Sequence, residues 1–137
     1  MVPFCFCPCG RQTVAQAPLA YTACCARFLE HFDTTPASDA QSLLRSRYSA
    51  FVLGRIDYLL ATWHPSTRPG DVAVDDGTRW RGLTVRRHTV IDAHHAQVEF
   101  VARYRPAGGG GRAERLQACR EFVRDTGRWL YLDDQVA

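Results

Sequence analysis

The stretch WRGLTVRRHTVI, Trp80 to Ile91, decides the fold. Leu83, Val85, Thr89 and Ile91 share one parity, while Thr84, Arg86, His88 and Asp92 share the other. Alternation with a period of two marks a strand that turns one face to a core. The pattern recurs downstream, where Val98, Phe100, Ala102 and Tyr104 alternate with Gln97, Glu99 and Arg103, and Asp92 to His95 reads as the connecting turn. Pro106 to Gly111, with four consecutive glycines, is a loop. A third strand is predicted from about Ala113 to Arg124. Asp125-Thr126-Gly127 then forms a tight turn into a last strand from Arg128 to Leu132.

Working upstream, the period becomes helical. Ser38 is placed to cap a helix, with Gln41 as its capping-box partner. Leu44, Tyr48, Phe51 and Val52 form the buried stripe of this helix, and Gly54 ends it. Ile56, Leu59, Leu60 and Trp63 define a second, short helix, with Asp57 favourable near its start and His64-Pro65 stopping it. Residues 65–78 read as loop. Helices followed by a run of antiparallel strands predict an α+β fold: a curved sheet with helices packed on one face. Tyr48, Phe51, Trp63, Phe100 and Trp129 are its expected core.

Ahead of this lies a segment of different chemistry. Five of the six cysteines fall in the first 25 residues, as Cys5-Phe6-Cys7-Pro8-Cys9-Gly10 and Cys24-Cys25. A soft divalent ion takes four such donors in a tetrahedron, and zinc is its usual form. The organisation expected is a metal-binding segment at 1–30 and an α+β domain at 31–137. Cys5-x-Cys7 competes with Cys7-x-Cys9 for the first pair, and proline and glycine flank the latter, as a tight turn needs. Redox thiols and a disulfide framework are the other readings of the cluster. No signal-peptide pattern opens the chain and no run approaches about 18 apolar residues, so a cytoplasmic location is expected, where metal binding is favoured over disulfides. The sixth cysteine, Cys119, sits in a predicted strand and is expected to be a small core hydrophobe.

All 17 basic residues are arginine, set among 14 acids, for a net charge of +3. The densest group, Arg79, Arg81, Arg86 and Arg87, reads as a solvated strand face. A nucleic-acid partner is not expected from so dispersed a pattern, nor is a membrane.

Arg45-Ser46-Arg47-Tyr48-Ser49-Ala50-Phe51, Asp57-Tyr58-Leu59-Leu60, Thr62-Trp63-His64-Pro65 and Trp80-Arg81-Gly82-Leu83-Thr84-Val85 together resemble the YchJ-type family of uncharacterised bacterial proteins. The run Phe122-Val123-Arg124-Asp125-Thr126-Gly127-Arg128-Trp129-Leu130-Tyr131 is similar to that family's last hairpin. Cys7-Pro8-Cys9-Gly10 with Cys24-Cys25 resembles the SEC-C motif, a small zinc module. The resemblance implies structural Zn2+ held by Cys7, Cys9, Cys24 and Cys25. It also implies the cone-like fold of the nuclear-transport-factor-2 (NTF2) superfamily. The intervening residues 10–23 make a longer loop than the motif's usual one, but closure entropy grows slowly with length. By analogy with the secretion motor's SEC-C module, a protein or ribosomal partner is expected at the zinc segment.

No nucleophile elbow, phosphate loop or dinucleotide fingerprint is present, and no catalytic residue is assigned. Arg45, Arg47, His64, His88, Glu99, Arg103 and Glu121 are the polar candidates near a cone. Arg45 and Arg47 leave the apolar stripe and are expected to be exposed; pointing inward, either would pair with a strand acid such as Glu99. His64 is expected to cap a helix terminus. A cone pocket, if one forms, is predicted to be lined by Arg47, Trp63, Trp80, Glu99 and Arg103. Two functions follow: a non-catalytic adaptor or binding module, and a small enzyme or ligand-binding protein using the cone's cavity. A filled cone with an exposed zinc surface favours the first; a deep pocket floored by an acid or histidine favours the second.

Overall fold

In a computed structural model, the described residues are 6–13, 15–70, 78–106 and 112–133. Four antiparallel strands form one meander in chain order: β1 (Arg79–Asp92), β2 (His95–Arg105), β3 (Glu114–Asp125) and β4 (Arg128–Asp133). Preceding them are a 3-10 turn (Tyr21–Ala23) and helices α1 (Ala26–Leu29), α2 (Ala40–Leu53) and α3 (Ile56–Ala61). Helix α2 lies across one face of the sheet, touching β1, β2 and β4, with α3 against α2. The resulting architecture is the α+β curved sheet with helices on one face.

Local chemistry sets the element ends. The α2 N-cap is Asp39, one residue later than Ser38: its Oδ1 accepts from the Ser42 N–H at 2.7 Å. Gly54 closes the helix in the left-handed region, φ 74°. Helix α3 stops at Ala61, short of Trp63, because Thr62, Trp63 and His64 turn to follow β4. Tyr131 N–H donates to Thr62 O at 2.7 Å, and His64 N–H donates to Tyr131 O at 2.8 Å. The β3–β4 turn places Thr126 at φ 53° and Gly127 at φ 80°, two successive positive values as the tightest hairpin turn requires.

The leading strand departs from simple alternation. Register shifts fall between Trp80 and Gly82, Val85 and Arg87, and Val90 and Asp92. Each leaves one residue unopposed, which bends the strand and changes which parity faces inward. After the shift at Arg86, His88 stands opposite the fully buried Val98. Thr89 and Ile91, expected inside, are exposed, Ile91 by 55%. The three bulges give the sheet the curvature of a cone.

Leu43 and Leu59 from the helices meet Val98 and Phe122 from the sheet in the core. Of the expected core aromatics, Tyr48, Phe100 and Trp129 are buried, while Phe51 and Trp63 are partly buried. Cys119 is exposed, not a core hydrophobe: it stands opposite Glu99 on the outer face of the sheet.

Candidate functional site: a four-cysteine knot and an arginine-floored cone

The cysteine segment folds as a short two-stranded ribbon. Cys7 N–H donates to Leu19 O at 2.8 Å, Leu19 N–H to Arg11 O at 3.2 Å, and Thr13 N–H to Ala17 O at 2.8 Å. Between the first two, Cys7-Pro8-Cys9-Gly10 makes a turn in which Gly10 N–H reaches Cys7 O at 3.2 Å, with Gly10 at φ 77°. A side chain there would be strained. The far strand leads through the 3-10 turn to Cys24 and Cys25, just ahead of α1. The four Sγ atoms of Cys7, Cys9, Cys24 and Cys25 lie within 4.8 Å of one another, and all four residues are buried. Cys5 lies outside the described residues.

This donor set fits a tetrahedral ion. Metal–sulfur bonds of about 2.3 Å put tetrahedral sulfurs about 3.8 Å apart, and Cys9 Sγ is 3.7 Å from Cys24 Sγ. Without a cation the thiols conflict. Hydrogen bonds from Cys24 and Cys25 hold Cys7 well below the ordinary thiol range and Cys9 down to about 7. Cys25 is pushed up by Cys24 and then by Cys7 and Cys9. Cys24 is lowered by Cys25, but raised further by Cys7 and Cys9. A bound dication removes this conflict by stabilising all four thiolates at once.

The surroundings answer the negative charge of such a cluster. Arg45 Nη1 donates to Cys9 O at 2.9 Å and Arg27 Nε to Cys24 O at 2.9 Å. Ser49 Oγ on α2 sits 3.6 Å from Cys7 Sγ. Arg11 bonds Ser42 Oγ at 3.1 Å. The knot is thus clasped to α2, and its cysteines join the same apolar cluster as Leu43 and Tyr48.

A second feature opens between α2 and the inner face of the sheet: a cavity of about 220 Å³. Tyr48, Phe51, Trp63, Trp80, Phe100 and Tyr131 give it aromatic walls, Leu44, Leu83, Ala102 and Leu116 fill between them, and Arg47 and Arg120 are its charged members. No carboxylate or histidine is among these lining residues. Three of the five predicted lining residues, Arg47, Trp63 and Trp80, therefore meet here. Glu99 and Arg103 do not: the β2 pleat turns them to the outer face, where Arg103 Nη1 donates to Thr84 Oγ1 at 3.2 Å.

Arg47 is buried, 5% exposed, contrary to the exposure expected of it. It pairs with no strand acid among the described residues. Its Nη1 donates to Leu59 O and to the Thr62 hydroxyl, both at 2.8 Å, capping one carbonyl near the end of α3. The guanidinium lies 4.5 Å from the Tyr131 ring centroid and 5.0 Å from that of Trp63. Burial lowers it to about 10, which leaves it charged at neutral pH. Helical periodicity misses the burial of Arg47 because its partners, the end of α3 and the rings of Trp63 and Tyr131, come from other elements. Arg120 carries no sequence signal, because β3 has no clean apolar alternation; it sits opposite Val98, facing inward. His64 does not cap its own helix: Nε2 meets Asp125 Oδ2 at 3.0 Å, tying α3's exit to the last hairpin.

Fold and site together define a class: an NTF2-like α+β cone carrying a tetracysteine knot. Comparison with known proteins agrees. Residues 39–134 match the description "YchJ, middle NTF2-like domain". A UPF0225 protein of Polaromonas sp. is 52% identical over 133 residues, covering 97% of this chain and 94% of the relative. One from Methylibium petroleiphilum is 52% identical over 132 residues, covering 95% and 88%. The chain belongs to this family, the YchJ-type UPF0225 proteins. Two solved structures, both of SEC-C motif containing proteins, share its fold. That from Psychrobacter arcticus superposes with TM-score 0.76 at 29% identity, covering 96% of this chain and 82% of that one. That from Rhodopseudomonas palustris superposes with TM-score 0.79 at 27% identity, covering 96% and 98%. No helix among the described residues is long and apolar enough to cross a membrane.

Proposed function

We propose that this chain is a non-catalytic binding protein. One structural zinc ion on Cys7, Cys9, Cys24 and Cys25 clasps residues 1–30 to the domain formed by residues 31–137, and the cone's cavity is the binding site. The observation that carries the reading is the cavity itself. It is walled by aromatic rings, and its charged lining residues are arginines, where acid–base chemistry would need a carboxylate or histidine. Four thiolates saturate a tetrahedral ion and leave it no open position, so the metal serves the fold rather than a reaction. The SEC-C motif named for both structural neighbours supports the metal assignment.

Adaptor function at the cysteine segment is the second reading, with a protein or ribosomal surface as partner. Phe6, 62% exposed beside the ligand Cys7, favours it.

The test is elemental analysis of the purified protein together with calorimetric and NMR screening of small aromatic fragments. One zinc per chain, lost on replacing Cys24 and Cys25 with serine, and fragment-induced shifts confined to cavity residues are expected. Full zinc content in the double variant sinks the metal assignment. Fragments that perturb only residues 6–25 favour the adaptor.

A further inference from the structure

We propose that the cavity takes a small anion with a planar apolar body, an aryl or heteroaryl carboxylate, whose charge is met by Arg47 and Arg120. The inference rests on the cone being a binding site and names the chemistry of what binds there.

Among the described residues, charge within the cavity is one-sided. Arg47 is a cation buried to 5% exposure, yet it forms no ion pair among the described residues. Its hydrogen bonds go to two neutral oxygens, both from Nη1. Arg120 is half-buried on the inner face of β3 and has no hydrogen bond or ion pair among the described residues. Two guanidinium groups facing one low-dielectric space without a carboxylate repel each other and lack their strongest class of partner. A ligand carboxylate supplies both a counter-charge and acceptors in the geometry the guanidinium fork prefers. Trp63 adds a third donor: its indole N–H is buried with no partner among the described residues.

The rest of the ligand is defined by the walls. Tyr48 and Phe51 both meet Trp80, with ring centroids 5.5 and 6.0 Å apart. Such walls select a flat apolar body. Size is compatible: a cavity of roughly 150 Å³ holds benzene, so 220 Å³ accommodates one ring or a fused pair.

The test uses the full zinc-loaded chain and four probes: benzoate and indole-3-acetate, with benzamide and indole-3-acetamide as uncharged counterparts. Calorimetry gives affinity and amide shift mapping gives location. The carboxylates should bind at least about tenfold tighter than the amides, in line with a charge-assisted contact. Arg120→Gln should cut that preference by at least about threefold, with Arg47 sustaining the remainder, and Arg120→Lys should cut it less. Melting curves of both variants establish that they remain folded.

Equal affinity for acids and amides, or a preference unchanged in Arg120→Gln, overturns the anion assignment and leaves the binding reading intact. Inorganic phosphate binding as tightly as the aryl acids also overturns it, since the aromatic walls would then contribute nothing. If none of the four probes shifts a cavity resonance in the wild type, the binding reading of the cone fails as well.

Discussion

Arg45 Nη1 donates to the backbone carbonyl of Cys9 at 2.9 Å, joining the middle of α2 to the tightest turn of the cysteine knot. Through this contact a site made only of N-terminal residues is registered against the helix that roofs the cone. Arg11, reaching Ser42 from the other side of the ribbon, repeats the arrangement. With the proposed zinc bound, thiolate–metal bonds would hold the knot in addition to the packing its cysteines share with Leu43, whereas Leu43, Leu59, Val98 and Phe122 pack the domain with no metal.

Chelation should therefore loosen the ribbon first. In a zinc chelator, the amides of Cys7 and Leu19 should exchange rapidly while those of β2 and β3 stay protected. Native-state hydrogen exchange measures both. Collapse of protection across β2 and β3 at the same chelator concentration would show a single cooperative unit instead. Acid should act in the same direction as chelator. Binding releases thiol protons, so zinc affinity falls as pH drops from about 8 to about 5, which a chromogenic zinc indicator would follow.

Replacing Arg47 should cost more than replacing an ordinary helix residue. Arg47→Ala removes the donor to Leu59 O and Thr62 Oγ1 and two ring contacts, and opens space beside Trp63. A loss of roughly 2–4 kcal/mol is expected from denaturant unfolding. Arg47→Met keeps the apolar stem and should lose less. A loss under about 0.5 kcal/mol for alanine would mean the guanidinium's desolvation cancels its contacts.

Alkaline pH should destabilise the fold through Tyr48 and Tyr58. Burial pushes each up to about 12 from an ordinary 10. Above pH 10 the unfolded chain releases these protons while the folded one retains them, so folding stability is fully present below 10 and falls as pH rises toward 12. The loss is on the order of 2 kcal/mol per tyrosine. Urea unfolding at a series of pH values reads it, and Tyr58→Phe should flatten the profile.

Two glycines should respond oppositely to alanine. Gly127 has φ 80° and open space around its Cα, so Gly127→Ala incurs only backbone strain, about 1 kcal/mol. Gly82 also has open space, but without a positive φ, and Gly82→Ala should be neutral or slightly stabilising in thermal melts.

Chain-local chemistry was legible in the sequence. The hairpin turn at Thr126-Gly127, the stop at Gly54, the two cysteine pairs and the alternation of Val98, Phe100 and Ala102 all depend on residues within a few positions of one another. Their outcome follows from backbone sterics, donor type and pleat. What needed the tertiary structure was everything set by bulges and by contacts between distant elements. Bulges in β1 exchanged His88 for Thr89 and Ile91 on the inner face, which no parity count along one strand can foresee. The β2 pleat carried Glu99 and Arg103 to the side of the sheet away from the cavity. Arg47 went inside because a carbonyl near the end of α3 needs a donor and because Trp63 and Tyr131 close over the guanidinium. The thiols, too, become one site only when the ribbon pairs residue 7 with residue 19 and brings Cys24 and Cys25 across. Local propensity is a property of neighbouring residues; burial of a charge is a property of whatever the rest of the chain places around it.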